Sequence, residues 1–548
     1  MIWGMAMVKG LRHRIYLLFS LTAVMAIIMM CLSNKIGNRL LGELSLEKAN
    51  GLLWELDKAL LLLFVLFVLG VGYCLFCDIK QIMTQKAYSV RDAVTQLPNI
   101  AAYHEDITNI LCSDEEPQDY IMVAMDIDKF KTVNEIFGFT CGTKIIKMVA
   151  SMLKNRLQEG EQCYRISNDL FYLLLKSQGR SADFERIRDV LDSIAIDLVS
   201  TDDQDFLDGI DGGIYNHALS FSAGGVIIKA KEMRESLQGF EGEDLQERCL
   251  ELVAKIGDNA NIARKEGKNK NVNSVSIFDE SMRQAILEDK KIEDAFLIGI
   301  ERGEFMIYYQ PKFYIHGEEA VHGGAEALIR WDSNELGFMP PGKFIPVFER
   351  DGNAIRLDMH VVDLVCQNIC EWRSKGLEVA PISINVSRPT MVNGPGYIEF
   401  VKERLFLYDV PQELIDFEIL ESSSEVDEDM VVNFVNEIHS RGFKISIDDF
   451  GTGMSSLGLL RRIPLDTLKL DKSFFDNMSL NMTEKETAVI RYMIQMAKTM
   501  GIRTIAEGIE EKFQVDILRK YGCDMVQGYY FSRPLSVPDY EKMLNKEN

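Results

Sequence analysis

Residues 445–456 read Ile-Ser-Ile-Asp-Asp-Phe-Gly-Thr-Gly-Met-Ser-Ser, an alternating strand that ends in two adjacent carboxylates and a glycine-rich loop. Strands favour β-branched and aromatic residues, so the anions Asp448 and Asp449 at the end of this one need a chemical reason. One interpretation is a solvated turn whose Asp and Ser side chains cap a helix. The other is a site for a hard divalent cation, which prefers carboxylate oxygens. The rest of the C-terminal half decides between them.

Around this segment, from about Glu293, short apolar strands alternate with helical segments over roughly 250 residues, the size of a β/α barrel. Eight strands are predicted, at residues 305–309, 324–329, 381–386, 414–420, 443–447, 467–470, 503–505 and 525–531. Such barrels place their chemistry at the carboxyl ends of the strands.

Polar residues interrupt or close these apolar strands. They are Glu326, Asn385, Glu418, Asp448, Asp449, Lys469, Glu507 and Gln527. One buried acid can be a satisfied core residue, but five carboxylates in a ring need cations, because unpaired buried charge is too costly. The pattern predicts two hard metal ions.

The same strands carry motifs that closely resemble the EAL phosphodiesterase family over roughly residues 290–537. The matching motifs are Tyr309-Gln310-Pro311, Glu326-Ala327-Leu328-Ile329-Arg330, Asn385-Val386-Ser387, Glu418-Ile419-Leu420-Glu421, Asp448-Asp449-Phe450-Gly451, Lys469-Leu470-Asp471, Glu507-Gly508 and Gln527-Gly528. Members of this family hydrolyse cyclic di-GMP to linear pGpG with Mg²⁺ or Mn²⁺. The resemblance therefore implies a two-metal phosphodiesterase.

The resemblance also implies a role for each site residue. The first metal would be held by Glu326, Asn385, Glu418 and Asp448, and Asp449 would help to hold the second. Glu507 would orient or deprotonate the water, Lys469 would stabilise the water and the developing charge, and Gln527 would support the metal–water network. Gln310 and Arg330 would contact the substrate, and Glu421 would anchor the loop after Asp449. Blander alternatives stay open for three of them: Lys469 as a paired barrel lysine, Glu507 as a hydrogen-bond acceptor behind the metal ligands, and Glu421 as a solvated acid.

Three positions depart from the EAL pattern without touching a predicted ligand. Leu420 stands where the family usually has Thr, Met454 where an aromatic residue is common, and Met525 where an acid is frequent. Met454 lies in the loop beside the predicted metals. Its difference from the family pattern is therefore expected to affect the coupling of that loop to dimerisation.

The middle of the chain, residues 83–280, resembles a GGDEF diguanylate cyclase domain. The opening motif is found at Asp92–Asn99, a strand ends in Asp126-Ile127-Asp128, and the closing motif is found at Gly267-Lys268-Asn269. Residues 165–171 read Arg-Ile-Ser-Asn-Asp-Leu-Phe where the family has Gly-Gly-Asp/Glu-Glu-Phe.

This degenerate signature predicts a catalytically inactive domain. Two glycines would let phosphates approach a tight hairpin, and Ser167 puts a side chain there, whereas Asn168 can still adopt the left-handed turn. Leu170 replaces an acid, while Asp126, Asp169 and Phe171 remain. Thr143 and Phe139 replace an Asp and a His of the family. Weak binding of GTP as an activating ligand and a pure dimerisation role are both open.

The composition bounds the remaining properties. The net charge of −23 argues against a nucleic-acid polymer as partner, because phosphate binding is supplied by Lys and Arg. The ten cysteines show no disulfide or zinc spacing, which fits a reducing compartment.

Two charge-free apolar runs, residues 15–32 and 59–77, are each about long enough to cross roughly 30 Å of hydrocarbon as a helix. A buried core helix or a cleaved signal peptide is the alternative. Basic residues flank both runs, which predicts that both ends of the anchor face the cytoplasm. Residues 1–82 are thus expected to be a multi-pass anchor in the bacterial inner membrane, with the catalytic domains in the cytoplasm.

The sequence therefore predicts a multidomain protein: two transmembrane helices, an α/β (α+β, cyclase-like) GGDEF domain, and an EAL β/α barrel of the TIM type over residues 284–540. The expected function is metal-dependent hydrolysis of cyclic di-GMP, with a homodimer as the family's usual assembly. The alternatives are a non-catalytic cyclic di-GMP receptor that signals through protein partners, and a bifunctional enzyme that also synthesises cyclic di-GMP.

Overall fold

The computed structural model describes residues 20, 22–32, 34–36, 54–55, 58–73, 76, 80, 90–113, 116–200, 219–266, 268, 273–420, 428–451, 456–476, 478 and 484–547. The chain divides into two compact units, Met1–Arg283 and Gln284–Asn548. Each unit has its own sheet.

The first unit is built on a five-stranded sheet with the order β2-β3-β1-β4-β5. Its strands are β1 (Tyr120–Ile127), β2 (Gln162–Ser167), β3 (Leu170–Lys176), β4 (Phe221–Ile228) and β5 (Ser274–Ile277). Its helices are α1 (Ile100–Cys112), α2 (Phe130–Asn155), α3 (Arg180–Ser200), α4 (Ala230–Ser236) and α5 (Gly242–Glu266). Strand β1 is antiparallel to β3 and β4, and β4 is parallel to β5.

Strand β1 shows why helices cover both faces of this sheet. Its residues are buried almost throughout, and successive side chains point to opposite faces. Ile121, Val123 and Met125 enter one core, which α2 and α3 complete. Met122 and Ala124 enter a second core, which α1 and α5 complete.

The second unit is a closed barrel. Its strands are β6 (Phe305–Tyr314), β7 (Val321–Ser333), β8 (Gly337–Met339), β9 (Ile382–Val386), β10 (Ile415–Leu420), β11 (Lys444–Phe450), β12 (Thr467–Leu470), β13 (Arg503–Ala506), β14 (Met525–Gln527) and β15 (Leu535–Ser536). The order β6-β14-β13-β12-β11-β10-β9-β7 closes through pairing of β7 with β6, while β8 and β15 add to the rim. The predicted eight-stranded barrel is confirmed.

Helices surround the barrel. They are α6 (Glu280–Glu301), α7 (Pro341–Asp351), α8 (Ala354–Ser374), α9 (Arg388–Val392), α10 (Gly394–Leu407), α11 (Glu428–Ser440), α12 (Ser456–Leu460), α13 (Glu484–Thr499), α14 (Lys512–Tyr521) and α15 (Val537–Glu547). Two short 3₁₀ helices, Gln412–Leu414 and Lys472–Phe474, follow α10 and β12 respectively.

The first barrel strand differs from the predicted strand–helix alternation. Strand β6 is antiparallel to both of its neighbours in the closed barrel, β7 and β14, and a short connection rather than a helix joins it to β7. The cause is length: a parallel crossover needs about a dozen residues or more, and the chain between Tyr314 and Val321 is shorter than that.

Within the described residues, one helix is long and apolar enough to cross a membrane, and it is α2 of the first unit. This helix buries Cys141, Ile145 and Val149 in the core of that unit. Two shorter apolar helices, Thr22–Ile36 and Lys58–Tyr73, overlap the runs expected to span the membrane. Two membrane-spanning helices are not established by this finding and stay a prediction.

Candidate active site

Five carboxylates from different strands converge at one end of the barrel. Glu326 comes from β7, Glu418 from β10, Asp448 and Asp449 from β11, and Glu507 directly follows β13. We call these five residues the acidic ring. The parallel register explains their meeting, because Glu418 pairs with Asn385 of β9 on one side and with Ser446 of β11, two residues before Asp448, on the other.

Lys469 of β12 is the centre of the ring. Its side chain is completely buried, and its Nζ lies 2.6 Å from Glu418, 2.7 Å from Glu507, 3.0 Å from Asp448 and 3.2 Å from Glu326. Burial disfavours the ammonium form, but these four carboxylates outweigh that effect and hold the pKa of Lys469 well above its usual value. Lys469 is therefore a permanent cation.

A second buried lysine, Lys312 of β6, was not predicted as a site residue. Its Nζ forms an ion pair with Glu418 Oε1 and donates to Ser383 Oγ at 2.6 Å. Glu418 thus lies between two ammonium groups, one on each oxygen. Strand alternation could have revealed it, since Lys312 stands two positions after Gln310 and so points to the same face of β6.

Two amides donate hydrogen bonds to Glu326, in addition to its contact with Lys469. Asn385 Nδ2 donates to Glu326 Oε1 at 2.8 Å, and Gln527 Nε2 donates to Glu326 Oε2 at 2.7 Å. The Oε1 atom of Gln527 is buried and has no hydrogen-bond partner among the described residues. A buried acceptor of this kind is a place for a water or an ion.

Burial and the two lysines spread the carboxyl pKa values over a wide range. Burial opposes ionisation of Glu418, but Lys312 and Lys469 outweigh it and lower its pKa to about 2. Burial raises the pKa of Asp448 to about 6 and that of Glu507 to about 8, although Lys469 opposes both shifts. The pKa of Glu507 is thus moved close to neutral pH, where a carboxyl group can exchange protons.

The ring offers two oxygen clusters that fit hard cations. Oxygens of Glu326, Glu418 and Asp448 all lie within 4.8 Å of one another, and so do oxygens of Asp448, Asp449 and Glu507. Both clusters share Asp448, which suits a carboxylate that bridges two ions. Carboxylate oxygens are the ligands that Mg²⁺ and Mn²⁺ prefer, so the donor set fits the implied metals.

Asp449 reaches the second cluster through a local distortion of β11. It has a left-handed backbone with φ of 54°, and the register with β12 shifts between Ile447 and Phe450. Its backbone N–H donates to Asp448 Oδ1 at 2.9 Å. The left-handed conformation is uncommon outside glycine, although Asp tolerates it better than most residues. Two consecutive acids of one strand can therefore face one site.

The ring opens into a cavity of about 340 Å³. Gln310, Asp471, Lys472 and Tyr529 contribute to its walls together with members of the ring. Arg330 lies on β7, four positions after Glu326, and is half-buried. Its guanidinium is 5.6 Å from the centre of the Tyr308 ring, and burial lowers the pKa of Arg330. Gln310 and Arg330, the two residues expected to contact a substrate, thus lie on the paired strands β6 and β7.

Glu421 and Met454 lie outside the described residues, so the expected anchoring of the loop after Asp449 stays a prediction. Leu420 is described and is 40% exposed at the end of β10, whereas Met525 is buried. Neither makes a polar contact that would alter the ring.

In the first unit, the altered signature still forms a hairpin. Ser167 pairs with Leu170, and Asn168 has the left-handed backbone expected of it, with φ of 40°. Arg165 fastens the turn, because its guanidinium donates to the Asn168 carbonyl at 2.8 Å and to Asp92 at 2.9 Å.

Behind this hairpin, two basic residues hold Asp126. Arg264 forms an ion pair with Asp126 Oδ2, and Lys268 Nζ lies 2.6 Å from the same oxygen. Burial and the nearby Asp126 raise the pKa of Asp169. Phe171 is completely buried, and Leu170 is partly buried and packs against the core that α1 and α5 complete.

Family models match both units. The model of the EAL domain matches residues 290–534, and that of the diguanylate cyclase, GGDEF domain, matches residues 89–229. The signaling protein YkoW of Bacillus subtilis is 28% identical over 458 residues, which are 83% of this chain and 52% of that protein. The bifunctional diguanylate cyclase/cyclic di-GMP phosphodiesterase MucR of Pseudomonas aeruginosa is 25% identical over 82% of this chain and 60% of its own length.

A solved structure, the PaMucR phosphodiesterase in complex with c-di-GMP, is 28% identical, covers 46% of this chain and 99% of its own, and has a TM-score of 0.42. The chain spans about half to three-fifths of the length of the two curated relatives above. The protein carries a GGDEF domain followed by an EAL domain, and its homologues include bifunctional and EAL-type cyclic di-GMP phosphodiesterases.

Proposed function

We propose that this protein is a metal-dependent phosphodiesterase that hydrolyses cyclic di-GMP to linear pGpG. The observation that carries the proposal is the acidic ring, in which five carboxylates face two buried ammonium groups beside a cavity. The named activities of EAL-domain homologues support the choice of substrate.

The ring residues would act through binding and proton transfer. Two divalent cations, when bound, lower the pKa of water and stabilise the attacking and leaving oxygens of an in-line displacement. Glu326, Asn385, Glu418 and Asp448 would hold the first ion, and Asp448 and Asp449 the second. Glu326, Glu418 and Asp448 form one oxygen cluster of the ring. Asp448 and Asp449 belong to the other, whose third member is Glu507.

The residues around the ions would orient the substrate and move the proton. Glu507 would accept the proton of the attacking water, which suits its raised pKa. Lys469 touches Glu507 and three other ring acids, so it would fix that acceptor and stabilise negative charge as it develops. Gln310 and Arg330 would position the phosphodiester, because an amide and a guanidinium both donate to phosphate oxygens.

The first unit would regulate the barrel or mediate homodimerisation without synthesising cyclic di-GMP. Ser167 is exposed in the hairpin, and Leu170 packs against a hydrophobic core. Leu170 therefore supplies no carboxylate where the family's signature has an acid. Arg264 and Lys268 neutralise Asp126. Weak GTP binding there would make the unit an input domain.

We further propose that residues 1–82 anchor the protein in the bacterial inner membrane, with both units in the cytoplasm. Helix Lys58–Tyr73 supports this location, because Leu61, Leu62 and Leu69 are all more than half exposed. An apolar surface of this kind favours lipid over water. Fractionation of cells that express the full chain tests the anchor.

The function is tested with the full chain in detergent, cyclic di-GMP, and Mg²⁺, Mn²⁺ or a chelator, with and without GTP. Formation of linear pGpG that requires the metal is the expected result, and stimulation by GTP would establish the input role of the first unit. Tight binding without turnover in either metal would identify a receptor instead. Absence of both binding and turnover would refute the proposal.

A further inference from the structure

Two cysteines of the first unit lie side by side although they are 137 positions apart in the chain. The Sγ atoms of Cys112, the last residue of α1, and Cys249 of α5 are 3.3 Å apart. Among the cysteines that the structure describes, this is the one pair with a sulfur–sulfur contact. Cys112 is exposed and Cys249 is fully buried.

Both helices are anchored independently of this contact. Helix α1 buries Tyr103, Ile107 and Leu111, and the Arg234 guanidinium donates to the Ile110 carbonyl at 2.8 Å. Helix α5 packs into the same core. The two sulfurs are therefore held together by the fold, and an oxidant does not have to bring distant segments together.

We propose that Cys112 and Cys249 form a reversible intramolecular disulfide, which makes the first unit a thiol–disulfide modification site. The oxidant is a small disulfide. The Cys112 thiolate attacks it, one thiol leaves, and a mixed disulfide remains on Cys112. Cys249 loses its proton and attacks the Cys112 sulfur, and the second thiol leaves. Two cysteine thiols are oxidised and one disulfide is reduced to two thiols.

The geometry sets the order of these steps. Only Cys112 is reached from solvent, so it reacts first. Burial raises the pKa of Cys249 to about 12, which makes its thiolate scarce at neutral pH. Proximity compensates, because effective molarities of about 10⁵ M and above are reached by groups held in contact. The sulfurs must still approach by roughly 1.2 Å to reach the bond length of a disulfide.

The bond would tie the end of α1 to α5, the helix that also carries Arg264 and its contact with Asp126. Closure of so long a loop restricts the unfolded chain, so the oxidised first unit should melt at a higher temperature than the reduced one. In a reducing cytoplasm such a bond is transient, which is the usual behaviour of a redox-sensing disulfide.

The test uses the full chain, incubated with oxidised glutathione and then with dithiothreitol. The expected result, followed peptide by peptide in non-reducing mass spectrometry, is a fast loss of the Cys112 thiol, a slower loss of the Cys249 thiol, and a cross-linked peptide pair that contains both cysteines. Dithiothreitol should restore both thiols. These readouts do not depend on phosphodiesterase activity, so they succeed or fail independently of the proposed function.

Three variants sharpen the test. Cys112→Ser should abolish the cross-link, and Cys249→Ser should stop the reaction at the glutathione adduct of Cys112. Cys141→Ser, which alters another buried cysteine of the same unit, should leave the cross-link unchanged. A glutathione adduct that persists on Cys112 in the unaltered chain, or a Cys112 thiol that never reacts, would overturn the proposal.

Discussion

The two units each carry buried acids held by basic side chains, but the balance of charge differs. In the barrel, four of the five carboxylates of the acidic ring contact two ammonium groups, those of Lys469 and Lys312. In the first unit, Asp126 alone receives both Arg264 and Lys268. The barrel is left with an excess of negative charge, and the first unit is not.

This difference indicates which site needs ions. Buried carboxylates without enough cations either bind metal or take up protons, because isolated buried charge is costly. In the barrel, burial and then the neighbouring ring acids raise the pKa values of Asp448 and Glu507 in spite of Lys469. At Asp126 the protein supplies two cationic partners to Oδ2, although the buried Oδ1 has no hydrogen-bond partner among the described residues.

The strongest way to break the comparison is to remove one ring acid. Glu326→Ala should lower turnover of cyclic di-GMP by about two orders of magnitude or more, because a metal ligand and the acceptor for Asn385 and Gln527 are lost together. Turnover with Mn²⁺ and calorimetric binding of Mn²⁺ measure the effect. The control is Glu318→Ala in the exposed turn between β6 and β7. Near-normal hydrolysis by the Glu326 variant would contradict the metal assignment.

Removal of Lys312, the lysine that the sequence analysis did not predict, tests the charge balance of the ring by taking away a cation instead of an acid. Lys312→Met leaves Glu418 Oε1 without its ion pair, and breaking a buried pair costs about 3–5 kcal/mol of unfolding free energy. Added Mn²⁺ should recover part of this loss, since a bound cation replaces the missing charge. Denaturant unfolding with and without Mn²⁺ measures both quantities.

The matched control for that variant is Lys343→Met, a substitution of an exposed lysine at the start of α7. An equal loss of stability in Lys312→Met with and without Mn²⁺ would mean that Lys312 is a packing residue without a link to the ring.

A buried acid outside the ring sharpens the comparison, because its hydrogen bonds come from neutral groups. Asp358 of α8 accepts hydrogen bonds from the Ser387 N–H at 2.9 Å and the Ser387 hydroxyl at 2.7 Å, and burial raises its pKa to about 6. Between pH 4 and pH 6 the folded chain keeps a proton that the unfolded chain has lost. Its unfolding free energy should therefore fall by about 3 kcal/mol as the pH rises through this range.

Asp358→Asn removes this titration. The stability of the unaltered chain relative to the variant should decrease from pH 4 to pH 7, as measured by urea unfolding at each pH. A constant difference across the range would show that Asp358 is ionised throughout.

Local pattern was sufficient to predict the barrel and all five acids of the ring, because strand alternation and strand ends are local properties. The six residues between β6 and β7 were too few for a parallel crossover, so the antiparallel strand could also have been deduced. Lys312 was missed because strand alternation was not applied to β6, where it places Lys312 on the same face as Gln310. Asp358 could not be found this way, since its contact with Ser387 joins a helix to a strand end 29 positions away. The Cys112–Cys249 pair is likewise created only by the packing of two helices.

The smallest expected effect comes from restoring the signature of the first unit. Ser167→Gly combined with Asn168→Gly should produce no cyclic di-GMP from GTP, because Leu170 stays in the hydrophobic core and Arg264 and Lys268 still neutralise Asp126. Asn168 already has the left-handed backbone that glycine would provide, so the hairpin itself changes little. Incubation with GTP and Mg²⁺, in a Glu326→Ala background that preserves any product, is the measurement. Cyclic di-GMP formed by this variant would show that the two glycines, and not the charge balance around Asp126, separate the two units.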